Sequence, residues 1–345
     1  SEQTDLGLDL EMFNNRLSLS MDYFDKRTFN LIQGRTMDWP QTIGVKRQFV
    51  NLGEVRNRGF ELSANWSDKI NKNLSYFVSG NFSYLKNWVS DIGVKNADGS
   101  SGVWTSEKTF RNLPYMIQSA EGKPVNSFYL IKTVGIFQSD EEAANYKNAK
   151  GERIQPEAQA GDLKFVDVNG DGEITTADRT MIGDPTPDVS YGITLGVSYK
   201  NWDLGIDMMG QAGNQIYRTW DNYNWSQFNF MQQRMDRWHG PGTSNTQPLL
   251  NTKHTINNLN SEYYIEDGSF FRIRNLSLAY NFDQKLISKI GMQALKLYVN
   301  IQNLKTWKHN TGYTPELGGT AIAFGVDDGS YPMPAIYTFG FNLTF

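Results

Sequence analysis

Apolar and polar residues alternate one for one in nine separate segments of this chain, and no other feature restricts its fold as strongly. Val189–Tyr199 shows the pattern most cleanly. Val189, Tyr191, Ile193, Leu195, Val197 and Tyr199 alternate with Ser190, Gly192, Thr194, Gly196 and Ser198. The same period runs through Leu6–Phe13, Arg16–Asp25, Asn57–Trp66, Leu74–Tyr84, Trp202–Met209, Phe271–Phe282, Leu295–Asn303 and Tyr337–Phe345. Successive side chains of a strand point to opposite faces, so each segment has one apolar and one polar face. No segment of comparable strength repeats at helical spacing, and the reading is an antiparallel all-β chain.

Alternation alone suits both a soluble sandwich and a membrane barrel. Three further features favour the barrel. Short connections (Asn14–Asn15, Ser67–Asn73, Lys200–Asn201, Asp283–Ala294) alternate strictly with long ones (26–56, 85–188, 210–270, 304–336). Outer-membrane barrels segregate their connections in this way, with periplasmic turns at one rim and extracellular loops at the other. The polar face carries Ser, Gly, Thr and Asn with a sparse acidic set (Asp9, Glu11, Asp22, Glu61, Asp203, Asp207), which suits a crowded, hydrated lumen. Tyr23, Trp66, Tyr84, Tyr199, Trp202 and Phe282 stand near strand ends, where amphipathic rings anchor at membrane interfaces. The last segment places Tyr337, Phe339, Phe341, Leu343 and Phe345 on one face, an ending that resembles the assembly signal of such barrels.

Nine strands do not close a bacterial single-chain barrel, which has an even number. Unpaired backbone groups in lipid cost several kcal/mol each, so the edges require partners. The chain also opens mid-pattern, on SEQTDLGLDL. The expectation is therefore the C-terminal portion of a large antiparallel transmembrane β-barrel with long extracellular loops. The plug domain and earlier strands would lie in another segment. The competing expectation is a secreted, calcium-stabilised β-sandwich binding module.

Composition narrows the function classes. The absence of cysteine excludes disulfides, thiolate metal sites and thiol nucleophiles. A formal charge of −4 leaves no basic footprint for nucleic acid. His239, His254 and His309 are too scattered to form a metal motif. No nucleophile–base pair, phosphate-cradling Gly loop or working pair of carboxylates is evident, so no enzyme is expected.

One motif does carry chemistry. Residues 167–178 read DVNGDGEITTAD. Against a twelve-residue calcium loop, Asp167, Asn169 and Asp171 take the first, third and fifth positions. Gly172 makes the sharp turn at the sixth, Glu173 offers its backbone carbonyl at the seventh, Ile174 packs at the eighth, and Asp178 closes the loop at the twelfth. Ca²⁺ takes six to eight oxygens, and alternate side chains round a tight turn deliver them to one point. The closing Asp and the lack of a leading helix favour an extracellular structural site over a cytosolic sensor.

Two other groups are weaker. Trp220, Tyr223 and Trp225 cluster with Phe228 and Phe230 in a long connection. They are candidate substrate-binding rings, although packing between loops or against a partner is the simpler explanation. Arg272 and Arg274 share the sequence parity of Leu276 and Leu278, so either they lie above the bilayer or a bulge re-aims them.

Several stretches are similar to the C-terminal barrel of the SusC/RagA family of TonB-dependent nutrient transporters of Bacteroides-type outer membranes. They are NLGEVRNRGFELSANW (Asn51–Trp66), the calcium-type loop running into DRTMIGDPTPDVSYGITLGVSYKNWDLGIDMMGQAGNQIY, YIEDGSFFRIRNLSLAYNF (Tyr264–Phe282) and LKLYVNIQNLKTW (Leu295–Trp307). Thr314, in GYTPELGG, departs from the family's usual Asp. The resemblance implies a 22-stranded barrel with a plugged lumen. It implies a SusD-like lipoprotein over the extracellular mouth, energy drawn from TonB, and oligosaccharide or peptide cargo.

Overall fold

The computed structural model describes residues 1–35, 48–93, 102–106, 109–110, 113–114, 116–220, 231–251, 255–317 and 323–345. Nine strands form one sheet: β1 (Glu2–Met12), β2 (Leu17–Phe29), β3 (Glu54–Asn71), β4 (Leu74–Asp91), β5 (Val189–Tyr199), β6 (Trp202–Ala212), β7 (Phe270–Asn281), β8 (Ala294–Lys308) and β9 (Ile336–Thr344). Each pairs antiparallel with its neighbours in chain order, giving a simple meander.

Register carries the alternation from strand to strand. Met12, Leu17, Trp66, Val78, Leu195, Ile206, Leu276, Ile301 and Tyr337 pair successively across all nine strands, so this row is apolar throughout. One residue away, Glu11, Ser18, Asn65, Ser79, Thr194, Asp207, Asn275 and Gln302 pair in the same way, and that row is polar. A slip of one residue would exchange the faces, so an apolar solvent on one side fixes the register. Among the described residues no second sheet covers the apolar face; Leu6, Phe339 and Phe341 are 73%, 76% and 66% exposed. The sandwich expectation is not met.

The strands overrun the alternating segments at the long-loop rim. β3 reaches back to Glu54 and β4 on to Asp91, so the second long connection starts after residue 91 rather than at 85. Cross-strand polar pairs continue the ladder where apolar ones stop. At the other rim, Phe13, Asn14 and Asn15 all take positive φ to make the tight turn from β1 into β2.

The question over Arg272 and Arg274 is resolved by a bulge. Against β6, Ile273 pairs with Met208 and Asn275 with Asp207, leaving Arg274 as the extra residue; against β8 the same step runs from Lys305 to Gln302, so there the extra residue is on β8. The bulge switches parity between Phe271 and Leu276, both on the apolar face. Arg272 and Arg274 thereby join the polar face. Arg274 is ion-paired with Asp207; Arg272 is buried against Thr306, Glu316 and Met333.

The conventional hydrophobic core lies outside the sheet, in the long connections. Ser127–Ile131 is flanked by Arg179–Gly183 and Ile117–Ala120, and Gly102–Ser106 pairs beyond the latter. Gln215–Arg218 pairs with Ile265–Asp267 and, in parallel, with Val326–Asp327. Ile117, Phe128 and Leu130, Tyr217 and Tyr264, and Val326 come from three different connections and form one buried cluster. The described parts of these three connections thus pack together as a cap at one rim.

Candidate functional site

The cap is tied together by a buried charge. Arg218 donates to Glu266 at 2.6 Å and to the Thr311 hydroxyl, and the two charged side chains are only 4% and 10% exposed. Its guanidinium lies over the rings of Trp220, Tyr263 and Tyr264 at 5.5, 5.2 and 5.9 Å. Glu266 in turn accepts from the Thr311 backbone N–H. The Trp220 indole donates to buried Asp327 at 3.1 Å, and Asp327 also receives the N–H groups of Gly329 and Ser330. Of the three candidate binding rings, Trp220 is therefore engaged in joining two connections. Tyr223 and Trp225 lie outside the described residues.

The calcium-type loop is a ladder of Asx turns. Asp167 accepts the N–H groups of Gly170 and Gly172 at 2.7 and 2.8 Å. Asn169 accepts from Asp171 N–H, and Asp171 from Glu173 N–H. Gly170 and Gly172 sit at φ +76° and +94°, and a Cβ on Gly172 would meet the Asn148 side chain at 2.4 Å. Asp178 is fully buried and receives the N–H groups of Val168 and Thr175 at 2.9 and 2.7 Å. Thr175 and Asp178 close a reciprocal capping box, and Ile174 packs against the Ile131–Phe165–Trp238 cluster. Next to the loop, Tyr146 donates its hydroxyl to the Phe165 carbonyl at 2.7 Å. Burial pushes its phenol above the usual range, and the charges of Asp167 and Asp178 add to the effect.

A carboxylate offers about four lone-pair positions, so Asp167 and Asp171 retain acceptor capacity beyond these turns. Among the described residues no three His, Cys, Asp or Glu side chains converge on one metal position. The Asp167 and Asp171 carboxylates and the Asn169 amide oxygen are engaged in the Asx turns, while Asp178, the expected closing residue of the loop, gives both carboxylate oxygens to backbone N–H groups.

The polar face forms a third region. A hollow of about 970 Å³ opens near the short-turn rim, lined by Thr194, Ser198, Asp203, Asp207, Ser277 and Lys296 among others. Asp203 accepts from Ser198 and Asn281 at 2.8 Å each and faces Lys296 at 3.6 Å. Phe77 lies across Gly196, where a Cβ would come within 2.0 Å of the ring, so only glycine seats it. The acids of this wall were visible as a pattern in the sequence. Their partners Arg274, Asn281 and Lys296 were not, since they stand on strands far away in sequence.

A meander of long strands, apolar outside and polar within, with its connections packed as a cap, is barrel-wall architecture. The family model described as TonB dependent receptor-like, beta-barrel, matches residues 1–304. The chain belongs to that family. It is similar to TonB-dependent receptor P3 of Formosa agariphila, 32% identical over 361 residues, covering 100% of this chain and 34% of the relative. TonB-dependent receptor SusC of Bacteroides thetaiotaomicron is 24% identical over 350 residues, covering 98% and 31%. The structure described as the RagAB peptide transporter superposes with a TM-score of 0.74 at 22% identity, covering 99% of this chain and 35% of that one. The SusC/RagA resemblance read from the motifs is borne out. This TonB-dependent receptor barrel chain spans about a third of the length of the relatives it matches.

Proposed function

We propose that this chain supplies nine consecutive wall strands of an outer-membrane TonB-dependent transporter that imports oligosaccharides or peptides. The observation that carries the reading is the two-faced wall: unbroken apolar rows outside, polar rows inside, in a chain of this family. The polar wall with its acid–base pairs would face a plug domain and the passing cargo. The packed cap would form the extracellular mouth, on which a SusD-like lipoprotein docks, and TonB would act through a region outside this chain. Disrupting the full-length gene should abolish uptake of either fluorescently labelled oligosaccharides or labelled peptides by intact cells. Unchanged uptake of both would overturn the reading.

Calcium belongs to the same proposal. The Asx ladder shapes the loop by itself, and an extracellular Ca²⁺ held by Asp167, Asn169, Asp171 and the Glu173 carbonyl would neutralise its clustered charge. The ion would supply rigidity at the mouth rather than a switch. An affinity of ~10⁻⁴–10⁻³ M, typical of extracellular modules, would suffice. Asp171→Ala should weaken binding roughly tenfold through loss of one charged ligand and increase protease access across 160–188. Calorimetric titration of the full-length protein reads this, and no heat with either protein would sink the calcium claim.

A further inference from the structure

Just above the apolar band, the outward face of β2, β3 and β4 changes character row by row. The eleven-residue span of β5 pairs with Leu74–Tyr84 of β4. At ~3.3 Å per residue and a tilt near 45°, such a span covers roughly 25 Å, the height of the lipid-facing band of an outer-membrane barrel. Tyr23, Phe60 and Tyr84 pair across the three strands and end that band. The next outward row is Asp25, Arg58 and Lys86, and the one after is Arg27, Arg56 and Trp88.

The carboxylates in these rows are taken up on one side. Asp25 forms a two-point pair with Arg56, both bonds 2.7 Å, and also accepts from Arg58. Glu54 pairs with Arg27, and Glu2 stands opposite Arg27 on β1. On the other side a cleft of about 530 Å³ opens between β3, β4 and the turn at Gly122–Pro124. Its charged lining is Arg58 and Lys86, with no carboxylate; its floor is Tyr23, Phe60 and Tyr84. Lys86 is exposed and forms no ion pair with a described residue. The Trp88 ring lies beneath the guanidinium groups of Arg56 and Arg58, at 5.8 and 5.7 Å, and holds them level with the cleft.

We propose that this cleft binds the phosphorylated headgroup of a membrane lipid, with its acyl chains lying along the apolar strip beneath. Taking the long-loop rim as extracellular, which rests on the function proposed above, the lipid is one of the outer leaflet. Arg58 spends its Nε and one Nη2 hydrogen on Asp25 and keeps the Nη1 side of its guanidinium for phosphate oxygens, Lys86 adds a point charge, and Trp88 supplies an amphipathic wall. The choice of a lipid over free phosphate follows from the floor. The three aromatic rings continue directly into Met21, Leu62 and Phe82, a surface that inorganic phosphate would leave bare. Cationic side chains placed directly above an apolar band match a ligand whose charge sits directly above its hydrocarbon.

The test uses the full-length protein in mixed micelles of phosphatidylcholine and phosphatidic acid, with native mass spectrometry reading the lipids retained. Phosphatidic acid should be retained in preference, and Arg58→Gln with Lys86→Gln should lower that preference roughly tenfold, as loss of charge-assisted hydrogen bonds implies. Lys305→Gln, an exposed lysine on β8 remote from the cleft, should not change it. Quenching of Trp88 fluorescence by brominated-chain phosphatidic acid, lost in Trp88→Phe, gives a second readout that needs no charge substitution. Equal retention of the two lipids by the unaltered protein would overturn the proposal, as would displacement of phosphatidic acid by inorganic phosphate. Neither result depends on cargo or orientation, so failure here leaves the transporter reading to its own test.

Discussion

Ile193→Arg is expected to remove most of the full-length protein from the outer membrane, while Thr194→Arg leaves its level close to normal. The two residues are adjacent on β5 and project to opposite faces. Ile193 pairs with Gly80 and Met208 on the apolar face near the middle of the strand. An arginine there meets hydrocarbon, at a cost of about 2–4 kcal/mol at the bilayer midplane of a barrel. Thr194 faces inward, bonds to Asp207 at 3.4 Å and lines the hollow. An arginine at that position reaches water and a carboxylate. Quantifying folded protein by heat-modifiable migration separates the outcomes. Similar loss in both variants would mean that the face assignment is wrong, and a soluble fold would tolerate both.

The face assignment was legible in the sequence because period two is a local signal that needs no knowledge of partners. Once Val189–Tyr199 alternates, pairing with equally alternating neighbours produces the two-faced sheet. Strand ends were less legible. Asp25, Arg56 and Arg58 break the apolar pattern, yet they continue the ladder through cross-strand ion pairs. The bulge at Arg274 was readable only as a conflict, charged residues with lipid-facing parity, and the structure shows how it is resolved.

The cap is where sequence reasoning ended. Its strands are short, and its decisive contacts join residues 48 to 107 positions apart, such as Arg218 with Glu266 and Trp220 with Asp327. No periodicity announces such a contact. The Asx ladder at 167–178 is the exception, because nearly all of its hydrogen bonds span five residues or fewer and follow from Asp, Asn and Gly at fixed spacing. Aromatic clustering around Trp220 was visible, but its engagement with Arg218 and Asp327 was not.

Arg218→Ala should destabilise the cap by about 3–5 kcal/mol, the usual cost of breaking a buried ion pair from one side. The loss has three sources. Among the described residues, Glu266 is left with the Thr311 N–H and hydroxyl as its hydrogen-bond partners. The rings of Trp220, Tyr263 and Tyr264 lose the cation packed over them. The sheet joining Gln215–Arg218 to Ile265–Asp267 and Val326–Asp327 loses the side chain that spans it. Amide exchange should therefore accelerate by two to three orders of magnitude, each factor of ten being ~1.4 kcal/mol, at Tyr217, Tyr264 and Val326, and much less in the centre of β5. Arg218→Met combined with Glu266→Leu removes both charges together and should recover part of the loss, because the penalty is chiefly that of the stranded carboxylate. If the double variant exchanges as fast as the single one, packing around the arginine, and not its charge, holds the three connections together. If exchange in β5 rises equally, cap and wall unfold as one unit rather than as two.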